Sequence, residues 1–158
     1  MTSTALQNPP VAAAGMAPLA ASALQKLLPD LLALSLDAKQ AHWNVTGPAF
    51  LTLHALTDQI AADAIGWADR VAERALALGF AVDGRPATVA ASASPFLAGR
   101  LGDREATDEL GALLGDVAAA ARAALDVLAH ADAVGHEIVV SVLEGLEKHR
   151  WMLHAQTA

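Results

Sequence analysis

The sequence predicts an all-α protein, four long helices packed as a bundle with an extended crossover between the second and third. Three observations lead there. Of 158 residues, 54% are hydrophobic while only 4% are aromatic, and alanine, the best helix former, is the commonest residue. A mean hydropathy of +0.38 supplies far more apolar surface than a disordered chain carries. Apolar residues recur at spacings of three and four in four stretches, with one long connection rich in Gly, Pro and small residues among them. The length fits one domain: an uncharged flexible tail over 1–18 and the bundle over 19–158.

The elements follow in order. Met1 to Gln25 carries no charged side chain, and Pro9, Pro10, Gly15 and Pro18 interrupt it. From about Ser22 a broad stripe, Leu24, Leu27, Leu28, Leu31, Leu32, Leu34 and Leu36, marks a first helix reaching His42 and Trp43. Pro29 is expected to kink it or start it afresh. Asn44-Val45-Thr46-Gly47-Pro48 is a stop signal, because Gly suits a C-terminal cap and Pro cannot continue a helix. A second helix runs from about Ala49 to Leu78, closed by Gly79. Ala81 to Ser94 forms the crossover, with room for a short helix at Ser94-Pro95-Phe96-Leu97-Ala98. Asp103 and Glu105 open a third long helix through about Ala129, since acids suit the positive end of a helix dipole. A fourth runs from about Ala133 to Ala155. The long connection describes a ferritin-like bundle better than an up-and-down bundle with short loops.

Composition narrows the chemistry. With no Cys, thiolate metal sites, iron-sulfur clusters and cysteine nucleophiles are excluded, and the reducing cytoplasm is the expected compartment. The uncharged tail lacks the basic segment and unbroken apolar core of a secretory leader, although Ala21-Ser22-Ala23 has the small-residue pattern of a cleavage site. Beyond it no run of 18 apolar residues free of charge and proline suggests a membrane span. A formal charge of −7 argues against a generally basic nucleic-acid surface and favours cations. Any bound metal must be held by His and carboxylate.

The second helix carries the most informative spacing. His54 and Asp58 are four apart, as are Asp69 and Glu73, so each pair projects from successive turns. Taking His54 as zero, Asp58 lies at about 40°, Asp69 at about 60° and Glu73 at about 100°, which is one stripe. The centres of the two pairs are about 22 Å apart along the axis, too far for one metal. Two copies packed antiparallel about a two-fold near Asp63 and Ala64 would set His54 and Asp58 of one against Asp69 and Glu73 of the other, giving two symmetric intersubunit sites. His42, beside the turn, offers a second imidazole. Such a sulfur-free set suits iron, manganese or zinc, and open positions favour redox-active iron. The competing reading is a solvated acidic face, with Arg70 and Arg74 pairing Asp69 or Glu73. There is no Glu-x-x-His and no His-Glu-x-x-His, which counts against a di-iron site held by one chain and against a zinc protease.

Lys39-Gln40-Ala41-His42-Trp43-Asn44-Val45-Thr46-Gly47-Pro48, then His54, Asp58, Asp69 and Ala72-Glu73-Arg74-Ala75, resemble the Dps family, the mini-ferritins. Leu146-Glu147-Lys148-His149-Arg150-Trp151-Met152-Leu153 fits its last helix. The resemblance implies a hollow homo-dodecamer of tetrahedral symmetry with ferroxidase sites at two-fold interfaces. It implies His42, His54 and Asp58 as iron ligands from one subunit and Asp69 and Glu73 from its partner, with Glu73 the candidate to bridge. Members oxidise Fe(II), usually preferring hydrogen peroxide, store the ferric mineral inside and so protect DNA. Trp43, next to a ligand, has either packing or electron donation as its role. Lys39, one turn before His42, is placed to hold an acid near the site, and Trp67 and Trp151 are assigned to packing. Asp116, Asp126 and Asp132 are candidates for an acidic entry pore, although Ala131 to Glu137 is shorter than the usual family pattern.

DNA binding is where the sequence departs. Family members that condense DNA often use basic tails, but no Lys or Arg precedes Lys26 here, and only His154 follows Trp151 as a basic residue. Twelve copies at −7 each give a shell near −84, so direct DNA binding is expected to be weak or absent at physiological salt. The alternative reading is a nucleoid-associated structural protein with little ferroxidase activity.

Overall fold

In the computed structural model the described residues are 15–93, 95–96 and 98–156. They form α1 (Ala17–Asn44), β1 (Val45–Thr46), α2 (Phe50–Ala77), α3 (Pro86–Ser92), β2 (Leu101–Gly102), α4 (Asp103–Ala131) and α5 (Ala133–His154). The four long helices of the expected bundle are present. Leu24, Leu27, Leu31 and Leu34 of α1 are fully buried against Leu53 and Ile60 of α2, Leu110 and Leu114 of α4 and Leu146 of α5. Burying a leucine this completely contributes roughly 1.5–3 kcal/mol. Buried alanines at positions 38, 41, 64, 68, 118 and 121 let the backbones approach closely.

β1 and β2 pair in parallel, Val45 with Leu101 and Thr46 with Gly102. This two-residue ladder ties the start of α2 to the start of α4, so those helices enter the bundle from the same end and the crossover must span its length. Gln25 of α1 anchors that crossover: its amide donates to the Asp83 carbonyl at 3.0 Å and its side-chain oxygen accepts from the Asp83 N–H at 2.8 Å.

Several expectations need correction. Of the 1–18 tail, residues 1–14 lie outside the described residues, but α1 already begins at Ala17. Pro18 is not a break, because the first turn of a helix has no use for its missing N–H. Pro29 does not split α1, which continues through it with the ring buried in the core. The crossover helix lies at Pro86–Ser92, earlier than Ser94 to Ala98. Pro86 occupies a position near its start, where proline's fixed φ suits a helix. Helix α1 is long and apolar enough by composition to cross a membrane, yet 61% of its most apolar window is buried in the bundle, as suits a core helix.

Asp132 is not an exposed pore acid. It is the single residue between α4 and α5, where its Oδ2 accepts from the Gly135 N–H at 2.9 Å and caps α5. The same carboxylate takes a two-pronged bond from Arg74 of α2, Nε to Oδ2 at 2.8 Å and Nη2 to Oδ1 at 2.5 Å, with both side chains buried. Burial by itself raises the Asp132 pKa, but the bonds from Arg74 and from the α5 backbone outweigh it and hold the carboxyl below the usual range. Arg74 moves upward for the same reason.

Removing one partner of such a buried pair leaves an uncompensated charge. Arg74→Met is expected to destabilise the fold by about 3–5 kcal/mol, measured by guanidinium unfolding. A carboxyl whose folded pKa is depressed stabilises above its unfolded pKa, about 3.9, and that contribution disappears as pH falls through the folded value. Acid unfolding below about pH 4 is therefore expected to be steeper in the wild type than in Arg74→Met.

Candidate metal centre

The first half of the centre is built where α1 hands over to α2. Gly47 sits at φ +121°, and a Cβ there would meet Asp103 Oδ2 at 2.8 Å. Only glycine fits both the backbone and the space. Asp103 in turn accepts from the Ala49 N–H at 3.2 Å, so the first residue of α4 holds the turn that launches α2. Nothing local in the sequence marks Asp103 for this role, because the two positions are 54 residues apart.

That turn brings His42 and His54 face to face. Their rings stack with centroids 3.7 Å apart and 17° between planes, and Phe50 leans on His54 at 5.1 Å. His42 Nδ1 lies 2.7 Å from the His54 carbonyl oxygen and His54 Nδ1 lies 2.9 Å from the His42 carbonyl oxygen. A carbonyl oxygen only accepts, so each Nδ1 carries the hydrogen and donates it. In the neutral ring the lone pair is then on Nε2, which is the tautomer a metal-binding imidazole needs. The bond from His54 also satisfies one of the α1 C-terminal carbonyls that has no partner within the helix.

Asp58 stands one turn beyond His54 on α2 and pairs with Lys39 of α1, as expected of that lysine. The hydrogen bond from Lys39 and its ammonium charge hold the Asp58 carboxyl below its usual range against a smaller effect of burial. It is an exposed carboxylate at neutral pH. Three sequence-predicted residues thus share one end of the α1–α2 pair, with Lys39 occupying the acid.

Asp69 and Glu73 lie on the same helix, about 22 Å from His54 and Asp58 along its axis, and both are exposed. The chain does not bring all five residues together, and among the described residues no group of three His or acidic side chains converges as for a metal. Of the two arginines expected beside Asp69 and Glu73, Arg74 points inward to Asp132 and Arg70 donates to Ser141 Oγ at 3.1 Å. The second half-site presents two carboxylates to whatever lies opposite.

The tryptophans divide. Trp67 packs as expected, tilted against His149 at 6.0 Å and seated over Gly145, where a Cβ would come within 2.2 Å of its ring. Trp43 is 70% exposed and Trp151 68% exposed. Neither lies in the bundle's own core, and Trp43 stands beside the imidazole pair. His149, whose Nε2 bonds Asp63 Oδ2 at 2.7 Å, is a buried helix-to-helix tie that sequence spacing did not single out.

Comparison with known proteins agrees with this architecture. The ferritin-like domain model matches residues 21–158. The DNA protection during starvation protein 2 of Deinococcus radiodurans is 49% identical over 78 residues, a stretch covering 49% of this chain and 32% of that relative's length. The DNA protection during starvation protein of Brevibacillus brevis is 33% identical over 143 residues, covering 87% of this chain and 93% of the relative. The structure of Dps from Microbacterium arborescens in the high iron form superposes with a TM-score of 0.87 at 30% identity, covering 98% of this chain and 99% of the other. A bundle of this topology, matched along nearly its whole length to proteins of that name, belongs to the Dps family of ferritin-like proteins.

Proposed function

We propose that this protein is a mini-ferritin ferroxidase: it oxidises Fe(II), preferentially with hydrogen peroxide, at sites shared between two copies of the chain, and stores the ferric product in a dodecameric shell. The observation that carries the reading is the division of the ligand stripe. One half-site offers two Nε2 lone pairs and the Asp58 carboxylate. The other offers the exposed Asp69 and Glu73 carboxylates. Neither half suffices for a metal, and an antiparallel two-fold near Asp63 and Ala64 joins them twice.

In this reading His42 and His54 fix Fe(II) through neutral imidazoles, and their clasped Nδ1 atoms keep the rings from turning away as the metal's charge rises. Asp58 and Asp69 complete or orient the shell, and Glu73 bridges the paired irons. Each of two Fe(II) gives up one electron, and one peroxide takes both with two protons to become two waters, so no hydroxyl radical is released. Trp43 is exposed next to the ligand and is our candidate to donate an electron to any oxidant that escapes that pairing. Zinc or manganese are alternative occupants of the same N and O donors. We place the activity in the cytoplasm with the DNA it guards, and attribute protection to the iron chemistry. The reading of a nucleoid structural protein has less support, because the chain's charge of −7 opposes a polyanion. Of the entry-pore candidates, Asp116 and Asp126 stay exposed.

Anaerobic Fe(II) mixed with peroxide and followed by ultraviolet absorbance is expected to show rapid, saturable oxidation in the wild type. In His54→Ala, with assembly confirmed by sedimentation, the rate falls at least about tenfold, since one ligand and the clasp that orients His42 are both lost. Equal slow rates in both would sink the ferroxidase reading. Lys39→Met frees Asp58 from its ammonium, and anaerobic titration calorimetry is expected to show Fe(II) binding tightened by up to about fivefold, the scale of an exposed ion pair. A DNA gel shift at about 150 mM salt is expected to show no complex; a shift that persists there would restore the nucleoid reading.

A further inference from the structure

The N-cap residue of α2 is Ala49, whose side chain has no oxygen to accept the N–H groups left over in the first turn. The acceptor comes from another helix, because Asp103 Oδ2 takes the Ala49 N–H at 3.2 Å. Its second oxygen, Oδ1, takes the Arg104 N–H at 2.9 Å in the first turn of α4. One carboxylate therefore stands at the start of two helices, and negative charge is favoured at each.

The surroundings leave that carboxylate little freedom. It lies against Gly47, where a Cβ would fall 2.8, 2.9 and 3.2 Å from Asp103 Oδ2, Cγ and Oδ1. Val45 and Thr46 pair with Leu101 and Gly102, and the Thr46 hydroxyl donates to the Leu101 carbonyl at 3.1 Å. On the α4 side the Thr107 hydroxyl donates to the Asp103 carbonyl at 2.8 Å. His42 precedes this anchored turn and His54 follows it, one turn into α2. The direction in which α2 starts decides whether each Nδ1 meets the other ring's carbonyl.

We infer that Asp103 is a positioning residue of the metal centre: by capping α2 from the start of α4 it sets the mutual approach of His42 and His54, and so holds both rings in the tautomer that offers Nε2 to a metal. For its effect on iron this rests on the shared-site reading above; for its effect on the rings it does not. Asp103 acts through Ala49 and Gly47 and needs no contact with the metal. Without the carboxylate the Ala49 N–H turns to water, and the first turn of α2, with Phe50 and His54 on it, loses its tie to α4. Each imidazole that leaves its carbonyl is free to carry its hydrogen on either nitrogen.

The test reads the rings first and the metal second. Full-length protein with 15N-labelled histidine is compared with three variants by NMR at about pH 8, where an ordinary imidazole is neutral. Signals are assigned from His42→Gln and His54→Gln, and assembly is checked by sedimentation velocity. The wild type is expected to carry hydrogen on both Nδ1 atoms. Asp103→Ser keeps an oxygen for the first turn of α4 but is one bond too short for Ala49, so its rings are expected to become a mixture of tautomers. Co(II), followed by its visible absorbance, is expected to bind it about tenfold or more weakly. Asp103→Asn retains the reach and an acceptor oxygen and is expected to restore most of both signals. Gln25→Ala, which also loses two hydrogen bonds but at the far end of α1, is expected to leave the rings as they are. Rings unchanged in Asp103→Ser overturn the role of Asp103, and so does an equal change in Gln25→Ala. If the rings change in Asp103→Ser while the wild type neither binds Co(II) nor oxidises Fe(II), the shared metal site is overturned and the hold of Asp103 on the imidazole pair stands.

Discussion

Two imidazoles, each donating its Nδ1 hydrogen to the other's backbone carbonyl, join the end of α1 to the second turn of α2, and the candidate centre is organised around that clasp. A carbonyl only accepts, so each Nδ1 carries the hydrogen, and in the neutral rings the lone pair then sits on Nε2. Stacking at 3.7 Å fixes the spacing between rings, and Phe50 limits how far His54 can swing. The clasp holds only because the turn between the helices is tight, which in turn depends on Gly47 having no Cβ to strike Asp103. A chain of short-range constraints thus runs from the first residue of α4, through one glycine, to two metal-competent nitrogens.

At the other end of α2 a different interaction supplies rigidity. Arg74 lies next to Glu73 in sequence but points the opposite way, into the bundle, where Asp132 accepts its guanidinium and caps α5. The neighbouring side chains divide the work. One fixes α2 against the α4–α5 junction, and the other stays exposed on a helix that cannot rotate about its axis. Helix periodicity makes this possible, because a step of 100° separates an inward arginine from an outward glutamate. The Arg70 bond to Ser141 adds a second tie between α2 and α5, so Asp69 and Glu73 are presented from a surface pinned on both sides.

Much of this was legible in the sequence, and for identifiable reasons. The four helices follow from leucine and alanine periodicity, and the shared exposure of Asp58, Asp69 and Glu73 on α2 follows from two i, i+4 pairs on one stripe, both of which are local properties. The place of α3 was misread because Ser94 to Ala98 and Pro86 to Ser92 both contain proline and small residues, and the start signal at Asp83, whose carboxylate accepts from the Arg85 N–H and the Thr88 hydroxyl, was passed over. Asp132 was misread as a pore acid because its partner, Arg74, is 58 residues away. Trp151, assigned to packing, is 68% exposed and outside the bundle's own core. The Asp132 miss concerns a side chain whose role is set by a residue distant in sequence.

The exposed apolar residues fit the same logic as the divided ligands. A helix that serves only as the outside of a monomer gains nothing by carrying Ile65 at 52% exposure between two pairs of acids and imidazoles. Burying it would stabilise an assembly, and in the proposed two-fold pairing the same assembly would bring the donors within reach of one ion. Metal binding and association would then be linked, because whatever binds only the joined state favours it over the separate copies.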